Sequence, residues 1–271
     1  MIADYHIHTS LCRHAEGEPR AYVERAIALG MTEMGFADHL PFPPGWAPSH
    51  EVADDWSMSL GELDGYAALV QDLAREYAPG LRILLGIEAD YIEARLDDTA
   101  DILAGYPFDY VIGSVHVIGD GFPFDHPDAL GLLPGYGVDR IALESLELAG
   151  RAAASGLFDV IGHLDHAKKY GGRPDGEAVA AAASAALRAV AAAGVAIELN
   201  TGGWRKPVAE SYPGPALLAE ARSLGIPLVL GSDAHRPGDV GHEFARAAGL
   251  AREAGYDTLL RLSAGAQEAL A

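Results

Sequence analysis

The sequence predicts an α/β protein folded as a distorted (β/α)7 barrel, a relative of the eight-stranded TIM barrel. Two observations carry this. Short β-branched or apolar runs alternate with longer alanine- and leucine-rich stretches of helical period, the pattern of repeated βα units around a parallel sheet. Seven histidines and two carboxylates also fall just after successive apolar runs, where the C-terminal strand ends of such a barrel converge on one mouth. With 271 residues and 49% hydrophobic content, the chain is expected to form a single barrel domain over residues 1–271.

The first strand is expected from about Ile2 to His8. Pro19 suits the first turn of a helix, Arg20 to Leu29, that Gly30 closes, and Thr32 to Ala37 reads as the second strand. The proline-rich stretch from Pro41 to Trp46 cannot be regular structure and is expected to fold over the mouth of the site. A helix follows from Leu60 to Tyr77, then a third strand from Leu81 to Ile87 and a fourth from Asp109 to Ser114. A second loop runs from Gly119 to Gly137, ahead of a helix at Arg140 to Ser155 and a fifth strand at Phe158 to Gly162. The alanine-rich run Glu177 to Ala193 predicts a helix stopped by Gly194, with Val179, Leu187 and Val190 marking its packed side. Val195 to Leu199 and Pro227 to Gly231 complete seven strands, with helices near Gly214 to Ser223 and His242 to Ala254. Beyond Gly255 no element is assigned.

The residues at the expected strand ends are metal ligands by type. His6 and His8 lie two apart on a strand, so both face one way and can grip one ion. Such a pair means little alone; its weight comes from the partners on later strands. His14 follows in the first loop, His39 closes Ala37-Asp38-His39, and Glu88 sits in Gly86-Ile87-Glu88-Ala89-Asp90. His116, His163, Asp233 and His235 end the fourth, fifth and seventh strands. Nitrogen and carboxylate donors without thiolates suit zinc, manganese or iron. Nine ligands are too many for one ion; with Glu88 bridging two, they divide among about three divalent ions that keep open positions for water and substrate. A closed structural site would use cysteine more often. Cys12, the single cysteine, is expected to be a packed loop residue, and it excludes an intrachain disulfide.

Composition narrows the partners. The net charge of −20, from 39 acidic and 19 basic residues, opposes binding to nucleic acid or anionic membranes and favours a small ligand. A phosphorylated substrate would then need cations gathered locally. No apolar stretch reaches the ~18 residues of a spanning helix and no signal-peptide pattern opens the chain, so a cytoplasmic protein is expected.

Taken in order, His6-Ile7-His8-Thr9, Cys12-Arg13-His14-Ala15, Ala37-Asp38-His39, Gly86-Ile87-Glu88-Ala89-Asp90, Gly113-Ser114-Val115-His116, Gly162-His163-Leu164-Asp165 and Gly231-Ser232-Asp233-Ala234-His235 resemble the signature blocks of the PHP (polymerase and histidinol phosphatase) superfamily. The resemblance spans His6 to Gly241. It implies a trinuclear site with His6, His8, Glu88 and Asp233 on one ion, Glu88, His116 and His163 on a second, and His14, His39 and His235 on a third. Every ligand position is filled, which implies an active enzyme rather than an inactivated relative.

The segments between the blocks, Phe108 to His116, Phe124-Asp125-His126-Pro127, Lys168-Lys169 and Asn200 to Pro207, are similar to the histidinol-phosphatase branch. That likeness implies hydrolysis of L-histidinol phosphate to L-histidinol and inorganic phosphate, in histidine biosynthesis, through a metal-bridging hydroxide. Asp233 and His235 would serve at the reacting centre, with Asp233 orienting the water or taking its proton. Arg205 is expected to reach a phosphoryl oxygen with its forked donors, and Lys168 to assist; a solvated loop arginine is the plain alternative. Asp125 and His126 would meet the imidazole or ammonium of the substrate, or merely tether their loop. Lys169, Lys206, Arg236 and Arg13 are expected to divide between supporting and surface positions. Trp46 and Trp204 would wall the pocket, His166 would lie near its mouth, and His50 and His242 would lie on the surface. A PHP-type phosphoesterase or exonuclease acting on nucleotide or oligonucleotide phosphates is the competing enzyme, and a non-catalytic metal-dependent binding protein the competing class. The acidic balance opposes the nuclease.

Overall fold

The computed structural model describes residues 3–49 and 56–270. Six strands pair in parallel in chain order: β1 (Glu33–His39), β2 (Arg82–Asp90), β3 (Tyr110–Ser114), β4 (Val160–Ile161), β5 (Ala196–Asn200) and β6 (Leu228–Gly231). The helices are α1 (Pro19–Ala28), α2 (Leu63–Tyr77), α3 (Leu96–Ala104), α4 (Leu133–Tyr136), α5 (Val138–Ala154), α6 (Glu177–Ala193), α7 (Pro215–Ser223) and α8 (Phe244–Glu253). Parallel pairing needs such crossovers.

The expected first strand is not regular. Asp4 and Ile7 form isolated parallel bridges to Met34 and Ala234. The reason is that the segment serves two neighbours at once. Gly35 N donates to Asp4 O at 2.8 Å and Ala37 N to Ile7 O at 2.9 Å, while Tyr5 N donates to Leu230 O at 3.1 Å and His8 N to Ala234 O at 3.0 Å. One extended segment therefore bonds to both edge strands, β1 and β6, and the sheet curls around it. Ile2 lies outside the described residues, as does His50.

Alternate residues of each strand face the inside of the curl. Ala37, Leu84, Tyr110, Ile112, Val160, Ala196 and Val229 form a small interior cluster, separate from the large core that includes Phe36, Ile83, Leu85, Ile197 and Leu228. Tyr110 plugs the interior with its hydroxyl donating to Tyr5 O at 2.6 Å. Gly35 and Gly86 make room for it, since a Cβ at either would come within 2.2 Å of its ring or hydroxyl. Further along the same inward face the residues turn polar: Glu88 and Asp90 follow Leu84 and Gly86 on β2, and Glu198 and Asn200 follow Ala196 on β5. The interior is thus apolar at one end and carboxylate-rich at the other.

Helix α6 occupies the expected residues, with Gly194 in the left-handed region at φ 72. Its buried Ala183, Ala186, Leu187 and Val190 pack on α5, where Gly150 lets the backbones approach. Strands β1 and β2 run past their expected ends at Ala37 and Ile87, because the ladder continues through the pairs His39 with Glu88 and Asp90 with Ser114. Helix α3 escapes sequence reasoning because Thr99 is its one buried residue. The unassigned C-terminus forms an antiparallel hairpin, β7 (Thr258–Arg261) with β8 (Ala266–Ala269). It covers the end of the interior opposite the carboxylates: Arg261 Nη2 and Ser263 Oγ donate to Oε2 of buried Glu33, whose Oε1 accepts from Tyr5. Among the described residues no helix is long and apolar enough to cross a membrane.

Candidate metal centre

Glu88 is the hub of the site. It is 1% exposed, and five histidines surround its two oxygens. Oε2 faces His39 Nδ1 at 3.0 Å, His6 Nε2 at 3.3 Å and His8 Nε2 at 3.7 Å. Oε1 faces His163 Nε2 at 3.0 Å and His116 Nε2 at 3.6 Å, and accepts from Ser114 Oγ at 2.6 Å. Asp233 extends the group, with Oδ1 3.3 Å from His8 Nε2 and 3.4 Å from His235 Nδ1. Its φ of 55 is left-handed, a conformation aspartate tolerates better than most residues. His14 stands at the rim, its ring 4.7 Å from that of His235 and 5.5 Å from that of His39. All nine expected ligands therefore meet at one end of the curled sheet.

The arrangement fits divalent cations. Buried Nε2 of His6, both ring nitrogens of His8, Nδ1 of His39 and Oε2 of Glu88 make no hydrogen bond among the described residues, a costly state unless something else engages them. Donor atoms of His6, His8 and Asp233, of His8, His39 and His235, and of His116, His163 and His166 fall in groups within 4.8 Å. Burial alone would raise the Glu88 pKa, but the charges of His6, His39 and His116 outweigh it and hold the carboxyl well below its usual range. Burial likewise lowers the His116 pKa, yet Asp90 and Glu88 carry it up to about 9.

These groups open onto a cavity of about 610 Å³. Five basic residues, Arg13, Lys169, Arg205, Lys206 and Arg236, line it within a chain of net charge −20.

Residues 4–202 match the family described as PHP domain. The chain belongs to this family. The protein of Deinococcus radiodurans named "Probable histidinol-phosphatase" is 42% identical over 259 residues, 95% of each chain. The histidinol-phosphatase of Bacillus subtilis is 30% identical over 258 residues, 89% of this chain and 96% of its own. The crystal structure of histidinol phosphate phosphatase from Lactococcus lactis, complexed with zinc, L-histidinol and phosphate, aligns with a TM-score of 0.78 at 26% identity over 98% of both chains.

Within this PHP domain the supporting residues differ in part from those expected. Lys168 is not brought to the cavity. Its ammonium is buried between Asp165 (2.7 Å) and Glu210 (2.6 Å), and it lines a separate pocket beside α5, α6 and α7. Adjacent residues of the short turn His166–Lys168 and its cap Lys169 diverge, so Lys169 faces the cavity instead. Lys168→Ala is expected to leave KM for a phosphomonoester nearly unchanged while lowering stability by about 2 kcal/mol, because two partly buried carboxylates lose a buried cation; chemical denaturation and steady-state kinetics measure the two effects. Trp46 packs on Phe42 and Trp204 lies under Arg246, so neither walls the pocket; Trp56 and Tyr212 do. Asp125 and His126 both line the cavity, Asp125 held by His166 and Lys169, His126 packed at a tilt against Trp56 and accepting from Asp128 N. Arg205 Nη2 donates to the carbonyls of Ser232 (2.8 Å) and Asp233 (2.9 Å), leaving buried Nη1 without a hydrogen bond among the described residues. Cys12 is fully buried as expected of a packed residue, and its sulfur approaches nitrogens of His14 and His235. His242 is partly buried.

Sequence reasoning missed the groups that orient the histidines. Asp38 Oδ1 lies 3.4 Å from His8 Nδ1, Asp90 Oδ1 3.1 Å from His116 Nδ1, and Glu198 Oε1 2.7 Å from His6 Nδ1. Asp38 and Asp90 stand inside the ligand-bearing motifs, which was the available signal; Glu198 stands on β5, which carries no ligand.

Proposed function

We propose that the chain is a histidinol-phosphatase that hydrolyses L-histidinol phosphate to L-histidinol and inorganic phosphate, in histidine biosynthesis. The observation that carries this reading is Glu88, a buried carboxylate among five histidines whose Oε2 makes no hydrogen bond among the described residues, facing a cavity rimmed by basic residues. The named relatives supply the substrate. Three divalent ions are assigned: one to His6, His8, Glu88 and Asp233, one to Glu88, His116 and His163, one to His14, His39 and His235. Zinc is favoured by the Lactococcus lactis complex over manganese or iron. The scaffold is read as one domain of seven staves, with residues 3–8 acting as the stave between β6 and β1. The acidic charge favours a cytoplasmic enzyme for small phosphomonoesters over one for nucleic acid.

Bound ions would supply a water acidic enough to act as hydroxide near neutral pH, together with charge that neutralises the phosphoryl oxygens. The chain's own residues do the rest. Asp233 accepts a proton from, or orients, the attacking water, and His235 beside it fixes the rim of the site. Arg205 ties down the loop that carries both and presents Nη1 to the phosphoryl group. Lys169 and Lys206 take the place expected of Lys168 in drawing the phosphate. Asp125 and His126 lie where the amine or imidazole of the substrate would rest.

Chelator-stripped protein is expected to lose turnover to background and regain it with zinc, manganese or iron. Reloaded enzyme should prefer histidinol phosphate over short single-stranded DNA by at least about 100-fold in kcat/KM, since the pocket must contact the amino-alcohol portion. A preference for DNA would overturn the assignment.

A further inference from the structure

Glu198 is buried at 1% exposure at the centre of the site, yet it belongs to no ligand set and does not line the cavity. Its two oxygens are divided. Oε1 lies 2.7 Å from His6 Nδ1, while Oε2 accepts from the His163 backbone N at 3.1 Å and from Asn200 Nδ2 at 3.1 Å. The neighbouring strand is cut to fit it: a Cβ at Gly231 would lie 1.8 Å from Glu198 Oε1, so glycine there makes the carboxylate's position possible. A carboxylate at His6 Nδ1 holds the proton on that nitrogen and leaves the lone pair on Nε2, the buried atom that faces Glu88 Oε2 at 3.3 Å.

We infer that Glu198 is a positioning residue that yokes two of the three ion sites, orienting His6 of one through Oε1 and anchoring His163 of the other through Oε2. This rests on the trinuclear reading above. Glu88 joins the same two sites from the cavity side, so the pair is tied from both sides. The third set is oriented by other groups: His14 Nδ1 bonds Cys12 O at 2.8 Å, His235 Nδ1 bonds Asp233 O at 3.0 Å, and His39 Nδ1 faces Glu88. The same carboxylate serving two sites makes their loading interdependent, while the third set makes none of the contacts described for Glu198.

Glu198→Gln tests this with a side chain of the same size. Both oxygens of Glu198 receive donors, so a glutamine must set its NH2 against either His6 Nδ1–H or the donors of His163 and Asn200. One link is lost in either orientation, and because the two sites load interdependently the loss at one weakens the other. Parent and variant are dialysed against a limiting chelator and their metal content measured, with far-ultraviolet circular dichroism of the stripped proteins as the check on folding. The expected result is about three ions per chain in the parent and about one in Glu198→Gln, the two lost sites weakened about 10- to 100-fold. Glu198→Asp keeps the buried charge but not the reach to both partners, and is expected to lose the same two ions, which covers a Gln variant that fails to fold. A variant that loads three ions at parental affinity, or loses all three evenly, overturns the inference while the parent's three ions uphold the trinuclear reading. A parent that binds one ion at most overturns both.

Discussion

Glu88→Gln is expected to reduce histidinol phosphate turnover by about 1,000-fold or more, because it removes the charge that the proposed assignment shares between two ions. The physical case rests on the symmetry of its contacts. Three histidines approach Oε2 and two approach Oε1, so the carboxylate spans the two halves of the site. An amide of the same shape presents one oxygen and one NH2, and the NH2 repels any cation placed between it and the histidines. Ser114 Oγ can still pair with the oxygen, so the side chain keeps its place and the defect stays electrostatic. Turnover at saturating metal, read beside bound-metal content, measures it. Activity within tenfold of the parent at full metal load would remove Glu88 from the bridging role.

Asp233→Asn is expected to cost a comparable factor, about 1,000-fold in kcat, with little loss of stability. Asparagine also tolerates the left-handed backbone that φ 55 requires, so the loop should hold its shape. That loop is pinned independently: Asp4 accepts from Ser232 N at 2.9 Å and Gly241 N at 2.9 Å, and Arg205 holds the carbonyls of Ser232 and Asp233. What disappears is the negative charge beside His8 and His235 and the group proposed to handle the water's proton. Thermal melting and kcat measured together separate the two effects. Near-normal turnover in a folded variant would defeat the metal-hydrolase reading itself.

The candidate ligands were legible because coordination chemistry demands particular residue types and a parallel sheet demands particular places for them. Histidines and carboxylates after successive apolar runs meet both demands, and all nine converge on one end of the sheet. Helix α6 was legible for a similar reason, alanine propensity and a terminal glycine acting locally. Elements without a local signal were not. Helix α3 buries a single residue, and the C-terminal hairpin is held by Glu33 and Tyr5, more than two hundred residues away in the chain.

By itself the sequence determined which nine histidines and carboxylates cluster, the alternating α/β order and the family likeness, all of which depend on residue type and spacing. Only the tertiary structure decided which way neighbouring side chains point. Lys168 and Lys169 are adjacent and chemically alike, yet one is locked between Asp165 and Glu210 while the other faces the cavity. Glu198 carried no motif and became the partner of His6 and His163 because β5 lies between β4 and β6 with its inward face toward both. The first segment, expected as an ordinary strand, gave up regular pairing because it bonds to both edges of the curled sheet. Each of these is a contact between residues remote in the chain, fixed by packing and hydrogen bonding across the fold, which local composition and spacing do not encode.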